Sequence, residues 1–173
     1  MTYPSDKEEK GLFRVYDRLF KEHNVSGNIL EIGVYRGGSL EYALDTKLFS
    51  KVVGIDISPS AVCPEGAFLH QTNQCDVEAL NKLSEQYGDW DVVIDDGCHL
   101  APFVEVSFDT LWPRTRKMYV IEDWEVLYMW PDSGWLKLLT RLIADKESLG
   151  YTTLEMVVDY RPEHRKSYLA MVR

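Results

Sequence analysis

The strongest constraint on this chain is an alternation: short apolar runs trade places with stretches patterned for helix along most of its length. Asn28-Ile29-Leu30-Glu31-Ile32-Gly33 reads as a buried strand, and Gly37-Gly38-Ser39 opens a helix just after it. Lys51–Ile57 is a second apolar run and Ala67–Gln71 a weaker third. Asp76 is placed to cap a helix carrying Val77, Leu80, Leu83 and Tyr87, which Gly88 ends. Asp91–Asp95 and Lys117–Ile121 complete the set of strands, with a helix near Val104, Phe108 and Leu111 between them. Strand and helix in turn build a parallel sheet covered on both faces. Ahead of it, Leu12, Val15, Tyr16, Leu19 and Phe20 recur at helical spacing and predict a helix over about 7–21. Behind it, Trp135, Leu138, Leu139, Leu142 and Ile143 mark an amphipathic helix ending near Gly150. The last two strand-like runs, 153–160 and 167–172, are joined by a short polar turn at Pro162-Glu163. So short a link permits only an antiparallel pair. The expected fold is therefore α/β: a doubly wound, mostly parallel seven-stranded sheet with a C-terminal antiparallel hairpin, in one domain over residues 1–173.

Composition narrows the class. With 173 residues, 45% apolar and 27% charged, the chain can bury one sizeable core. No run approaches the roughly 20 apolar residues of a membrane span, and the polar opening lacks the apolar stretch of a secretory signal. Three cysteines, Cys63, Cys75 and Cys98, show neither a disulfide framework nor zinc spacing. A cytoplasmic protein is expected. The net charge of −9 repels phosphate backbones and anionic lipids, so neither nucleic acid nor membrane is an expected partner.

In open α/β sheets, ligands sit beyond the C-terminal strand ends. Here the first strand-to-helix turn, Gly33-Val34-Tyr35-Arg36-Gly37-Gly38-Ser39, lets backbone approach a ligand and offers free N–H groups. Asp56 ends the second strand, where an acid grips ribose hydroxyls in nucleotide-binding sheets. The glycine spacing fits neither the dinucleotide fingerprint nor a phosphate-binding loop with Gly-Lys-Ser/Thr.

The run Ile29–Leu40 (ILEIGVYRGGSL) resembles motif I of class I S-adenosylmethionine-dependent methyltransferases. It is most similar to the version in the macrocin and mycinamicin sugar O-methyltransferases and in cephalosporin-biosynthesis methyltransferase-like proteins. Further segments resemble the same family: Asp6-Lys7 with Tyr16, Gln74-Cys75-Asp76, Asp95-Asp96-Gly97-Cys98-His99 and Ile121-Glu122-Asp123. The resemblance implies that Glu31, Gly33 and Gly37 line the methionine end of S-adenosylmethionine. It also implies that Asp56 holds ribose, Gln74 and Asp76 flank adenine, and Asp95 lies near the amino group.

Asp96 follows the fourth strand, and Glu122 and Asp123 follow the fifth, so adjacent strands bring three acids to one rim. Clustered carboxylates repel unless protonated or met by a cation, and an all-oxygen set suits Mg²⁺. The duller alternative is that these acids cap the helices that follow. The resemblance implies that the matching positions bind Mg²⁺, which grips two neighbouring substrate hydroxyls. His99 then has the chemistry of a general base for an acceptor hydroxyl.

Trp124, Tyr128, Trp130 and Trp135 suggest either an acceptor pocket or, as the duller reading, core packing or a subunit contact. Four of the five tryptophans fall between Trp112 and Trp135, which suggests an aromatic surface and hence a homo-oligomer. The chain departs from the family at Cys98, a common serine, and at Arg114-Thr115-Arg116, where a Pro-Gly-Gly turn is usual. It is also expected to lack the additional N-terminal domain and long C-terminal extension of some relatives, so the acceptor pocket is expected to be incomplete in the monomer or completed by a second subunit. The expected function is a Mg²⁺-dependent O-methyltransferase acting on a small-molecule hydroxyl, with a sugar favoured. The alternatives are a metal-independent methyltransferase and a non-catalytic cofactor-binding protein.

Overall fold

The computed structural model describes residues 3–125, 130, 134–159 and 166–173. Seven strands form one sheet: β1 (Gly27–Ile32), β2 (Phe49–Asp56), β3 (Phe68–Gln71), β4 (Trp90–Asp95), β5 (Thr115–Glu122), β6 (Thr153–Asp159) and β7 (Lys166–Val172). Their order is β3-β2-β1-β4-β5-β7-β6. The first five run parallel, while β7 pairs antiparallel with both β5 and β6. The doubly wound sheet with its antiparallel end is therefore as the sequence predicts.

Seven helices among the described residues flank the sheet: α1 (Asp6–Glu9), α2 (Leu12–Glu22), α3 (Gly38–Asp45), α4 (Val77–Tyr87), α5 (Ala101–Leu111), α6 (Trp135–Ala144) and α7 (Lys146–Leu149). Asp76 caps α4 as expected, its carboxylate accepting from the Ala79 N–H at 3.0 Å. No helix among the described residues is long and apolar enough to cross a membrane.

Strand side chains alternate between faces, and that parity organises the core. Leu30, Ile32, Val53, Ile55, Val93, Tyr119 and Ile121 point towards α4, α5 and α6. Ile29, Val52, Val92, Ile94, Met118 and Val120 point towards α2 and α3. Trp90 and Trp135, both fully buried, anchor the first layer. Burying a large apolar side chain stabilises by about 1.5–3 kcal/mol. The second layer is the seat for the stripe Leu12, Tyr16, Leu19 and Phe20 of α2.

Two expectations change. The helix over 7–21 is two helices, because Gly11 adopts a left-handed conformation (φ 71°) that ends α1 and begins α2. Turned by this break, α1 presents Lys7 to the sheet. Most of the expected aromatic surface is also buried among the described residues. Trp112, Trp124 and Trp135 are 3%, 5% and 0% exposed, so the argument for an oligomer from these rings lapses. Trp130 is exposed, while Tyr128 and the Pro162-Glu163 turn lie outside the described residues.

Candidate active site

Strand parity sorts the acids at the C-terminal edge. Glu31 shares the face of Ile29, Asp96 that of Ile94, and Glu122 that of Val120, so all three turn towards α1 and α2. Asp95 points the opposite way. The parallel register sets Asp95 beside Ile121, which brings Asp96 alongside Glu122 one residue further on.

The Lys7 ammonium enters this cluster. Its Nζ lies 2.9 Å from Glu31 Oε1, 3.0 Å from Asp96 Oδ2 and 2.7 Å from Glu122 Oε1. The Tyr16 hydroxyl also donates to Glu122 Oε1. Thus Lys7 and Tyr16, far from Glu122 in sequence, meet on one oxygen. Burial pulls the Lys7 pKa down, but the carboxylates of Asp96, Glu122 and Glu31 outweigh it and raise the pKa well above the ordinary lysine value. Burial pushes the Asp96 carboxyl up to about 7, with Lys7 opposing and Glu31 adding to the rise. It pushes Glu122 to about 7 as well, with Asp96 adding and Lys7 opposing. Three acids share one cation.

On the cavity side stand His99 and Asp123. His99 Nε2 is 3.9 Å from Asp96 Oδ1 and 4.0 Å from Asp123 Oδ2. These gaps are too long for hydrogen bonds and leave room between the groups. One ligand atom each from Asp96, His99 and Asp123 falls within 4.8 Å of the others, a spacing that accommodates a hard divalent ion. Both His99 (φ 57°) and Asp123 (φ 52°) hold left-handed backbone, which non-glycine residues adopt at a cost. Neighbouring groups fix them there: Trp135 Nε1 donates to the His99 carbonyl at 3.0 Å, and the Asp123 N–H donates to the Ser167 carbonyl at 3.0 Å.

A cavity of 520 Å³ opens beside this cluster, walled by Gly33, Asp56, Asn73, Gln74, Asp96 and His99 among others. A second cavity of 500 Å³ runs under the N-terminal segment past Ser5, Arg36 and Ser39. Lys7, Gly33 and Asp96 border both. Gly33 makes their closeness possible. Its φ is 86°, and a Cβ there would fall on the Asp96 carbonyl oxygen. Asp56 Oδ2 accepts from the N–H groups of Val34 and Tyr35 at 2.9 Å each, and Oδ1 accepts from the Ser58 N–H at 2.8 Å. The acid thereby ties the first loop to the second strand. Gln74 Oε1 accepts from the Cys98 N–H at 2.9 Å and so holds the loop after β4.

The remaining sequence-predicted residues stand back from these walls. Gly37 (φ 78°) packs against the Val62 carbonyl, and the Asp76 carboxylate is taken by its helix cap. Asp95 lies inside the opposite layer, accepting from Ser107 and from the Tyr119 hydroxyl at 3.1 Å. Glu31 pairs with Lys7 through one oxygen, and its other oxygen is buried without a hydrogen-bond partner among the described residues. Lys10, 3.9 Å from Asp123 Oδ2, and Phe103 line the larger cavity and were not among the expected residues.

The model of the methyltransferase domain family matches residues 6–170. The chain belongs to that family. The sequence of this methyltransferase domain is 36% identical over 130 residues to mycinamicin VI 2''-O-methyltransferase of Micromonospora griseorubida, covering 69% of this chain and 32% of that protein. It is 35% identical over 130 residues to demethylmacrocin O-methyltransferase of Streptomyces fradiae, covering 69% and 33%. The chain thus spans about one third of the length of these curated relatives. In structure it is similar to the MycE methyltransferase from the mycinamycin biosynthetic pathway, solved in complex with Mg, SAH and mycinamycin VI. The TM-score is 0.74 at 27% identity, over 99% of this chain and 55% of that one.

Proposed function

We propose that this chain transfers a methyl group from S-adenosylmethionine to a hydroxyl of a small molecule, with Mg²⁺ at the acid cluster and a sugar as the favoured acceptor. The observation that carries this reading is the convergence of Asp96, His99 and Asp123 at the edge of a cavity walled by Gly33, Asp56 and Gln74. The sugar O-methyltransferases among its relatives support the acceptor class.

In this reading Gly33 gives the cofactor close backbone approach, Asp56 holds its ribose and Gln74 borders its base. The unpartnered oxygen of Glu31 suits the cofactor's ammonium. Gly37, Asp76 and Asp95 act through the loops they shape. Asp96 and Asp123 would ligate Mg²⁺, with Glu122 as the third acid of the cluster. Mg²⁺ bound there would acidify and orient an acceptor hydroxyl. His99 Nε2 would take the proton of the acceptor hydroxyl. S-adenosylmethionine, when bound, would supply the methyl group to that oxygen and keep the electron pair of its broken carbon–sulfur bond as a neutral thioether.

Calorimetric titration with S-adenosylmethionine, followed by a screen of sugar-bearing acceptors, tests the proposal. Saturable binding and methylation of a hydroxyl are expected, and tighter binding of an ordinary nucleotide would overturn it. Asp56→Ala should weaken cofactor binding by about 1–3 kcal/mol, the scale of charged hydrogen bonds lost in the loop and to the ribose. Unchanged affinity would remove Asp56 from the site.

A further inference from the structure

The mechanism leaves one buried cation unused. Lys7 is 4% exposed, and its ammonium lies within 3.0 Å of Glu31, Asp96 and Glu122. A buried lysine charge costs several kcal/mol unless paired, and here it is paired three times over. Its place is specific. Asp96 gives one oxygen, Oδ2, to Lys7 and turns the other, Oδ1, to His99 on the cavity side. Asp96 therefore joins an inner group held by Lys7 to an outer group with Asp123.

We propose that Lys7 is a positioning residue that fixes the face Asp96 presents to a divalent ion and, by its own charge, limits how tightly that ion is held. The inference rests on the metal-assisted reading above. Four carboxylates, Glu31, Asp96, Glu122 and Asp123, would hold a doubly charged ion tightly enough to resist exchange. One fixed positive charge directly behind a ligand opposes that attraction in a poorly screened interior. Lys7 also keeps the acids from driving one another apart before the ion arrives. Lys10 faces the same cluster from the cavity side but is partly exposed and 3.9 Å from Asp123, so water screens it far more.

The test is Mn²⁺ binding, followed by electron paramagnetic resonance at pH 8 without acceptor, in the intact protein and in Lys7→Met and Lys7→Gln. Glutamine keeps hydrogen-bond donors and removes only the charge. Both variants should bind Mn²⁺ at least about tenfold more tightly than the parent. Both should melt lower than the parent in EDTA and gain more in melting temperature from Mn²⁺. A merely structural lysine would lower melting without tightening the metal. Equal or weaker Mn²⁺ affinity in folded variants overturns the inference. So does failure of both to fold in saturating Mn²⁺, since the ion should replace the missing charge. Absence of Mn²⁺ binding in the parent would instead overturn the metal-assisted reading itself.

Discussion

In EDTA, methyl transfer by this chain should fall by about a thousandfold or more and return on addition of Mg²⁺, because a metal at the reacting oxygen is worth several kcal/mol. Cofactor binding should survive the same treatment. The walls proposed for the cofactor, Gly33, Asp56, Asn73 and Gln74, lie at or just beyond the ends of the first three strands, whereas Asp123 follows β5. Asp123→Asn should reproduce the EDTA result. It is a cleaner probe than Asp96→Asn, since Asp96 also answers the charge of Lys7, 3.0 Å away. Asp123 is partly exposed, and among the described residues its nearest cationic partners are Lys10 at 3.9 Å and, when protonated, His99 at 4.0 Å, so its loss should cost little stability. The measurement is turnover with an identified acceptor, paired with calorimetry of the cofactor in EDTA. Full turnover in EDTA would sink the metal-assisted reading and favour methyl transfer without metal.

The sheet was legible in the sequence because its central strands, β1, β4 and β5, are apolar on both faces and end where glycine or acid begins. Gly88 ends α4 and Asp76 starts it as local capping rules require. The break at Gly11 was harder to read, since the apolar stripe of α2 gives no reason to stop at Leu12. It takes the left-handed φ of Gly11 to separate α1, and with it Lys7, from α2.

Period-two parity could have separated two of the acids. In Asp91-Val92-Val93-Ile94-Asp95-Asp96, neighbouring residues must face opposite layers, so Asp95 and Asp96 cannot share a site. The observed partners agree: Asp95 meets Ser107 and Tyr119, while Asp96 meets Lys7. What local pattern could not supply is the counter-cation. Lys7 and Glu122 are 115 residues apart, and their contact exists only because α1 folds over the ends of β1, β4 and β5. The burial of Trp112 is also partly long-range: its indole N–H donates to the Leu149 carbonyl and Arg173 lies over its ring. A tryptophan at a helix end looks the same in sequence whether distant residues cover it or not.

His99→Ala should slow turnover by about 10²–10⁴, the usual worth of a positioned base. The side chain is about one third exposed and makes no hydrogen bond with the described residues, so the variant should fold. The geometry allows a second role that the same variant separates. His99 Nε2 stands about equally far from Asp96 and Asp123, close enough to join them around an ion. As a base, His99 can be removed with Mn²⁺ affinity intact and only the rate lost. As a ligand, it would take affinity and rate away together. The pH profile adds an independent sign. Without a base, the acceptor hydroxyl must ionise unaided, so the residual rate of His99→Ala should climb with pH where the parent levels off. The decisive measurement is turnover across pH at saturating Mg²⁺, beside a Mn²⁺ titration of the same variant. A residual rate flat in pH, with metal affinity lost, would move His99 from the proton to the ion.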